Sequence, residues 1–254
     1  MLLAIDIGNT NITFGVFAKY RLIKNFKIPT NSYNLKKLRK NLDNLVIDDA
    51  IVCSVVPIIT RVLEKDLRSL LKKSPYIIGK NLKVPIKNLY RRPSKVGSDR
   101  LVNAYACVEL YGYPAICVDF GTAITFDVIS AKAEYIGGII VPGLELSLEA
   151  LSKKAALLPK ITLKAPESLI GRDTVNSMRS GAVYGISALT DGLIKKLRIE
   201  LKKAIVIATG GNADLIARFC SSIDEVDKDL TLQGLNLIYY SLEKNLKKFK
   251  KSKK

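Results

Sequence analysis

Residues 3–16 read Leu-Ala-Ile-Asp-Ile-Gly-Asn-Thr-Asn-Ile-Thr-Phe-Gly-Val, and residues 115–128 read Ala-Ile-Cys-Val-Asp-Phe-Gly-Thr-Ala-Ile-Thr-Phe-Asp-Val. Asp6-x-Gly8 matches Asp119-x-Gly121, and after a one-residue deletion Ile12-Thr13-Phe14 matches Ile124-Thr125-Phe126. Each copy is an apolar run, a Gly turn with hydroxyl or amide residues, and a second apolar run, the pattern of a strand, a tight turn and a strand. Each copy also opens a half-chain of mixed helical and strand sequence. The repeat predicts two homologous α/β domains, residues 1–113 and 114–254.

Working outward, strands are expected at 2–7, 12–17, 50–56 and 76–78, and helices at 35–45, 58–72 and 100–110, the last capped by Asp99. The second half should hold strands at 135–141 and 204–208, a helix at 144–155, a long helix at 174–201 and a closing helix at 230–246. Gly181, Gly185 and Ala188 lie on one side of the long helix. That side suits close packing, either within the domain or against another helix.

Composition narrows the chemistry. The 254 residues include 41 Lys plus Arg and 23 Asp plus Glu, for a formal charge of +18, but no His. Without His there is no Ser-His-Asp system, no His-ligated zinc and no imidazole base, so acid–base work falls to Asp, Glu, Lys, Tyr or Cys. Cys53, Cys107, Cys117 and Cys220 form no C-x-x-C pair and read as small buried hydrophobes in a reducing compartment. Asp6 interrupts the opening apolar run, no basic segment precedes it and no long uncharged stretch occurs, so the expected location is the cytoplasm, with no membrane span. Seven of the excess positive charges are lysines of residues 244–254. This tail is expected to be a solvated extension that frays beyond Phe249, with no catalytic role. An electrostatic tether to acidic partners is its alternative reading. The remaining excess favours anionic ligands. No RNA-recognition aromatic pattern or zinc motif is present, so no specific nucleic acid is expected.

Four segments carry residues suited to chemistry. In Asp6-Ile7-Gly8-Asn9-Thr10, a strand-end carboxylate able to hold Mg²⁺ is followed by a turn whose amides can face a phosphate; a plain hairpin with Asn9 at positive φ is the alternative. Asp119-Phe120-Gly121-Thr122 repeats the arrangement. Thr209-Gly210-Gly211-Asn212 leaves a surface without side chains, on which an adenosine can lie, or is a simple helix-entry turn. Gly97-Ser98-Asp99-Arg100 sets a proton acceptor beside a permanent cation, or is a capping Asp followed by a surface Arg. No G-x-x-x-x-G-K-[ST] is present, which removes the P-loop solution. Two Asp-x-Gly turns, one per domain, form the phosphate clamp of actin-like and sugar-kinase-like ATPases, so the expected fold is α/β with duplicated ribonuclease-H-like domains and a central cleft.

These segments, with Tyr90-Arg91-Arg92-Pro93, Tyr135-Ile136-Gly137-Gly138, Pro142-Gly143, Gly171-Arg172-Asp173-Thr174 and Ser180-Gly181, together resemble the type III pantothenate kinases over residues 2–240. Ser98 departs from that pattern, where Ala is common, and the basic tail has no place in it. The resemblance implies ATP-dependent phosphorylation of pantothenate to 4′-phosphopantothenate, the first step of coenzyme A biosynthesis. It implies that Asp6, Ile7, Gly8, Asn9, Thr10, Asn11, Ile12, Thr13 and Thr122 bind the ATP phosphates. It makes Asp99 the proton acceptor, places Tyr90, Gly97, Ser98, Asp99, Arg100 and Thr174 on pantothenate, and puts K⁺ or NH₄⁺ on Asp119. A homodimer is implied, with the pantothenate pocket completed near its interface. A non-catalytic transcriptional accessory factor of the same fold is the rival reading, and the presence of Asp6, Asp99, Asp119 and Thr122 opposes it.

Overall fold

The computed structural model describes residues 1–251, with side chains up to residue 242. In chain order the elements are β1 (Leu2–Ile7), β2 (Asn11–Ala18), β3 (Arg21–Pro29), α1 (Leu35–Asn41), β4 (Asp49–Ser54), α2 (Pro57–Leu71), β5 (Tyr76–Ile77), β6 (Lys87–Asn88) and α3 (Ser98–Tyr111). There follow β7 (Ala115–Phe120), β8 (Ala123–Ile129), β9 (Glu134–Pro142), α4 (Leu144–Lys154), α5 (Thr174–Leu201), β10 (Ile205–Thr209), α6 (Ala213–Ala217), β11 (Glu225–Val226) and α7 (Leu230–Lys251). Two compact units result: Met1–Leu110 together with the chain from Asp229 onward, and Tyr111–Lys228.

The first unit is built on a sheet of order β3-β2-β1-β4-β5. β1–β2 and β2–β3 are antiparallel, while β4 runs parallel to β1 and β5 parallel to β4. β1 is apolar on both faces because it lies mid-sheet with helices on each side. Its odd residues Leu3, Ile5 and Ile7 join Ile12, Phe14 and Val16 against Leu38 of α1 and Leu63 and Leu67 of α2. Its even residues Leu2 and Ala4 join Ile51 and Cys53 against Val102 and Tyr105 of α3 and Leu232, Leu235 and Ile238 of α7. α1 starts where the Asn34 side chain accepts the Lys37 amide at 3.0 Å, and α2 has Pro57 in its first turn and ends at Lys72 in a left-handed conformation.

In the second unit, β9-β8-β7-β10-β11 repeats the same order and the same directions. The repeat holds at the level of register: Asp6 faces Thr13 across the first hairpin, and Asp119 faces Thr125 across the second. Ile116, Val118, Phe120, Ile124 and Phe126 form the core face, covered by Leu144 of α4, Val183 and Ile194 of α5, and Ala213 and Ile216 of α6. This is the expected duplicated α/β architecture.

Several details differ from the expectation. β3, with Arg21, Lys24 and Lys27 along an exposed edge, alternates too weakly to be read as a strand. α6 and β11 are too short for periodicity to register. α3 begins at Ser98, so Asp99 sits inside the first turn rather than at the cap. The division expected at residue 113 falls at Leu110/Tyr111, and the last helix, assigned from the repeat to residues 114–254, instead packs on β1, β4 and β2 of the first unit. Its apolar stripe matches the open face of that sheet. α7 also runs to Lys251, past the expected end at 246 and past Phe249, because Lys has good helix propensity and positive charge suits a helix C-terminus. Residues 252–254 of the basic tail lie outside the described residues.

Candidate functional site

In the first unit the strand-end turn and the α3 terminus meet around Cys53. Parallel pairing sets Asp6 beside Cys53 and Ile7 beside Ser54. The β1–β2 ladder closes at Ile7 and Ile12, leaving a turn in which the Gly8 amide donates to the Asn11 carbonyl at 3.0 Å and the Thr30 hydroxyl donates to the Gly8 carbonyl at 2.8 Å. Asn9, Thr10 and Asn11 are exposed at its tip. Asn9 does not adopt positive φ, so the plain-hairpin alternative lacks its expected conformation. The Gly8 amide is spent inside the turn, so phosphate-facing amides would be those of Asn9 to Asn11. Ile7 and Ile12, expected in the same segment, bury their side chains in the core and can offer only backbone.

The second half of this centre is the first turn of α3. The Asp99 carboxylate accepts the Arg100 amide at 2.8 Å. A Cβ on Gly97 would collide with Asp99 Oδ1, so glycine is what lets the carboxylate fold back over the chain. Burial pushes the Asp99 carboxyl above its ordinary range, against the opposing pull of the Arg100 amide and guanidinium. Arg100 is only 7 % exposed, which rules out the surface-Arg alternative. The Ser98 hydroxyl donates to the Ser54 carbonyl at 3.1 Å and accepts from Cys53 Sγ at 3.2 Å, so it faces inward. Burial raises the Cys53 thiol well above its ordinary value, and the charges of Asp6 and Asp99 raise it further. Tyr90 lies in the loop before Pro93–Lys95, 36 % exposed, its amide donating to the Asn88 side chain at 2.9 Å.

The second unit carries a turn walled by glycines. Asp119 is the penultimate residue of β7 and Thr122 is exposed at the turn. Gly210 follows β10 at φ +93°, and a Cβ there would meet Asp119 Oδ1 and lie 2.8 Å from the Phe120 backbone. Gly143, at the start of α4, donates its amide to the Thr122 carbonyl at 3.0 Å, and a Cβ would strike the Gly121 and Thr122 backbone. Asn212 donates its amide to the Phe120 carbonyl at 3.1 Å and its side chain to Glu145 at 2.9 Å. The β7–β8 turn, the α4 terminus and the β10–α6 turn thus press together with little side chain among them. Gly143 was legible only as part of a strand-end Pro-Gly, and Glu145 only as a residue of the helix at 144–155. Their role depends on the sheet order that brings β9 and β10 to opposite sides of the β7–β8 hairpin.

A groove of about 840 Å³ runs along α4 and α5, lined by apolar residues such as Leu148, Met178 and Leu189 and by Gly171, Arg172, Asp173 and Thr174. A Cβ on Gly181 or Gly185 would meet nothing within 4 Å, so the small-residue side of α5 faces open space rather than packing within the unit. Leu146, Leu151, Leu157 and Leu189 are exposed around it.

Fold and turns together give the duplicated α/β fold expected of actin-like and sugar-kinase-like ATPases. The activator of 2-hydroxyisocaproyl-CoA dehydratase from Clostridium difficile, solved with bound ADPNP, superposes with a TM-score of 0.58 at 12 % identity over 97 % of each chain. A Campylobacter jejuni protein described as a Baf family transcriptional activator gives 0.59 at 21 % identity, over 95 % of this chain and 99 % of that one. At such identities these two show the fold alone. The model of the type III pantothenate kinases matches residues 2–196, and the type III pantothenate kinase of Citrifermentans bemidjiense is 44 % identical over 94 % of this chain and 98 % of its own. The chain belongs to the type III pantothenate kinase family.

Proposed function

We propose that this chain transfers the γ-phosphoryl group of ATP to the primary hydroxyl of pantothenate, making 4′-phosphopantothenate and ADP in the first step of coenzyme A synthesis. The carrying observation is that the Asp6 strand end, paired beside Cys53, and the first turn of α3 that carries Asp99, bonded to Cys53 through Ser98, meet at the junction of β1, β4 and α3. In the reaction the pantothenate oxygen attacks the γ-phosphorus, the bond to the bridging oxygen breaks with its electrons leaving on ADP, and the hydroxyl proton passes to Asp99. A carboxylate raised by burial is the stronger base for this step. Tyr90, the Gly97–Arg100 turn and Thr174 contact pantothenate, an anion for which Arg100 supplies positive charge. Ser98 contributes through its backbone, since its hydroxyl is engaged inward.

The Asp6–Thr13 segment and Thr122 bind the ATP phosphates. Among the described residues no three His, Cys, Asp or Glu side chains gather to hold a metal by themselves. Magnesium held through one or two carboxylates and the nucleotide phosphates needs no such cluster, and Asp6 fits as its hard oxygen ligand. When bound, it neutralises phosphate charge. Asp119 holds K⁺ or NH₄⁺, removing the repulsion a carboxylate beside Thr122 would exert on a nucleotide.

The open small-residue side of α5 and the exposed leucines around the groove support a homodimer through this face, with Thr174 among the residues lining the groove. Among the described residues no helix is long and apolar enough to cross a membrane. The reading places the enzyme in the cytoplasm, with its ATP supply. A coupled ADP-release assay with and without pantothenate, repeated with Na⁺ in place of K⁺, tests the proposal. ADP release that does not respond to pantothenate defeats it.

A further inference from the structure

Ser98 is the first residue of α3, and its side chain makes two contacts that the phosphoryl-transfer chemistry does not require. Cys53 Sγ donates to Ser98 Oγ at 3.2 Å, and Ser98 Oγ donates to the Ser54 carbonyl at 3.1 Å. That carbonyl belongs to a backbone held on several sides. The Ser54 hydroxyl accepts from the Val56 amide at 3.0 Å and from the Thr60 hydroxyl at 2.6 Å, pinning the exit of β4 to the first turn of α2. The Val55 amide donates to the Ile7 carbonyl at 3.1 Å, joining the same exit to the strand end that carries Asp6.

We infer that Ser98 and Cys53 are positioning residues, a thiol–hydroxyl–carbonyl relay that fixes the first turn of α3 against the end of β4 and so sets the placement of the Asp99 carboxylate. The inference rests on Asp99 being the proton acceptor. Direction matters in the relay. The serine hydroxyl has one proton, which it gives to the Ser54 carbonyl, so it can accept only from a donor, and the thiol is that donor. Cys53 is fully buried, and that burial, with the negative charges of Asp6 and Asp99 adding to it, keeps its proton in place. A methyl group at position 98 would leave the helix start intact but remove both contacts. Phosphoryl transfer depends steeply on placement, so a shift of a few tenths of an ångström in Asp99 should appear in turnover before it appears in ATP binding.

The test compares Ser98→Ala, Ser98→Thr, Cys53→Ala, Cys53→Ser and the double alanine variant with the wild type, each checked for a native melting transition. Ser98→Ala should lower kcat about tenfold and leave KM for ATP within about twofold. It should also move the acid limb of the pH–rate profile downward, because a loosened Asp99 becomes more hydrated while Asp6, Arg100 and Cys53 remain its charged and titratable neighbours. Cys53→Ala should cost about threefold, Cys53→Ser and Ser98→Thr should restore most of the loss, and Cys53→Ala added to Ser98→Ala should change nothing further. Amide exchange at Asp99–Leu101 should accelerate at least tenfold in Ser98→Ala. The relay is refuted by an active wild type in which Ser98→Ala keeps kcat and acid limb, or by Ser98 and Cys53 effects that multiply. Should Ser98→Ala fail to fold, Cys53→Ala against Cys53→Ser decides: equal turnover refutes the relay. An inactive wild type defeats the functional reading instead. Amide exchange then decides the relay alone, with unchanged protection in Ser98→Ala overturning it.

Discussion

Replacing Gly210 by Ala tests whether the turn after β10 is truly a wall of the Asp119 turn. Two costs follow from the structure. The backbone sits at φ +93°, where an L residue is strained by about 1–2 kcal/mol. The new Cβ would also lie 2.8 Å from the Phe120 nitrogen and carbonyl carbon, about an ångström inside ordinary carbon contact, and backbone cannot rotate away as a side chain can. Overpacking of this kind adds about 1–3 kcal/mol. Gly79 supplies an internal control, since it has φ +81° but open space where its Cβ would go, so Gly79→Ala should show the conformational cost alone. At about 2–4 °C per kcal/mol for a chain of this size, Gly210→Ala should melt several degrees below Gly79→Ala. Relief of the overlap must push the β10–α6 turn away from Asp119 and Phe120, so KM for ATP should rise in Gly210→Ala and stay unchanged in Gly79→Ala. Calorimetry and steady-state kinetics on the two variants measure both effects. Equal melting temperatures together with unchanged KM for ATP would show that the turn is free to move and that the reasoning is wrong.

Asp99→Asn should lower kcat by about 10²–10⁴-fold with ATP binding nearly intact by calorimetric titration. The same variant carries a stability signature. Because burial raises the folded-state pKa of Asp99, its ionised form costs stability at neutral pH, and that cost vanishes as pH falls below the ordinary carboxylate range. Asp99→Asn should therefore melt above the wild type at pH 7 and lose the advantage near pH 3, and a variant melting lower at pH 7 contradicts the burial argument. Asp119→Ala should abolish the dependence of turnover on K⁺ or NH₄⁺ along with most activity, which equal wild-type rates in Na⁺ and K⁺ would contradict. Gly185→Arg places a cation on the open side of α5 and should convert a dimer to a monomer in sedimentation while leaving the fold intact; an unchanged sedimentation coefficient removes α5 from the interface.

The sequence by itself determined the architecture, because the signal is local and occurs twice. The Asp-x-Gly hairpins at 6–8 and 119–121 combine period-2 apolar runs with a turn, and both kinds of evidence reside within about ten consecutive residues. The motif residues were legible for the same reason: the Asp-x-Gly pairs and the Gly97–Arg100 stretch are contiguous in sequence, whereas the close approach of Gly210 to Asp119 and Phe120 is not. Tertiary structure decided what depends on distant segments meeting. α7 looked like the end of the second repeat, yet its apolar stripe covers the first sheet, because burying that open face against Leu232, Leu235 and Ile238 removes more apolar surface from water than any local preference could specify. Parallel pairing of β1 with β4 set Cys53 beside Asp6, and the Cys53 thiol and Ser54 carbonyl at the end of β4 hold the Ser98 hydroxyl inward. The sequence could not announce this, since strand register across 47 positions leaves no periodic trace. It was likewise packing, in the form of empty space beside Gly181 and Gly185, that showed which way the small-residue side of α5 faces.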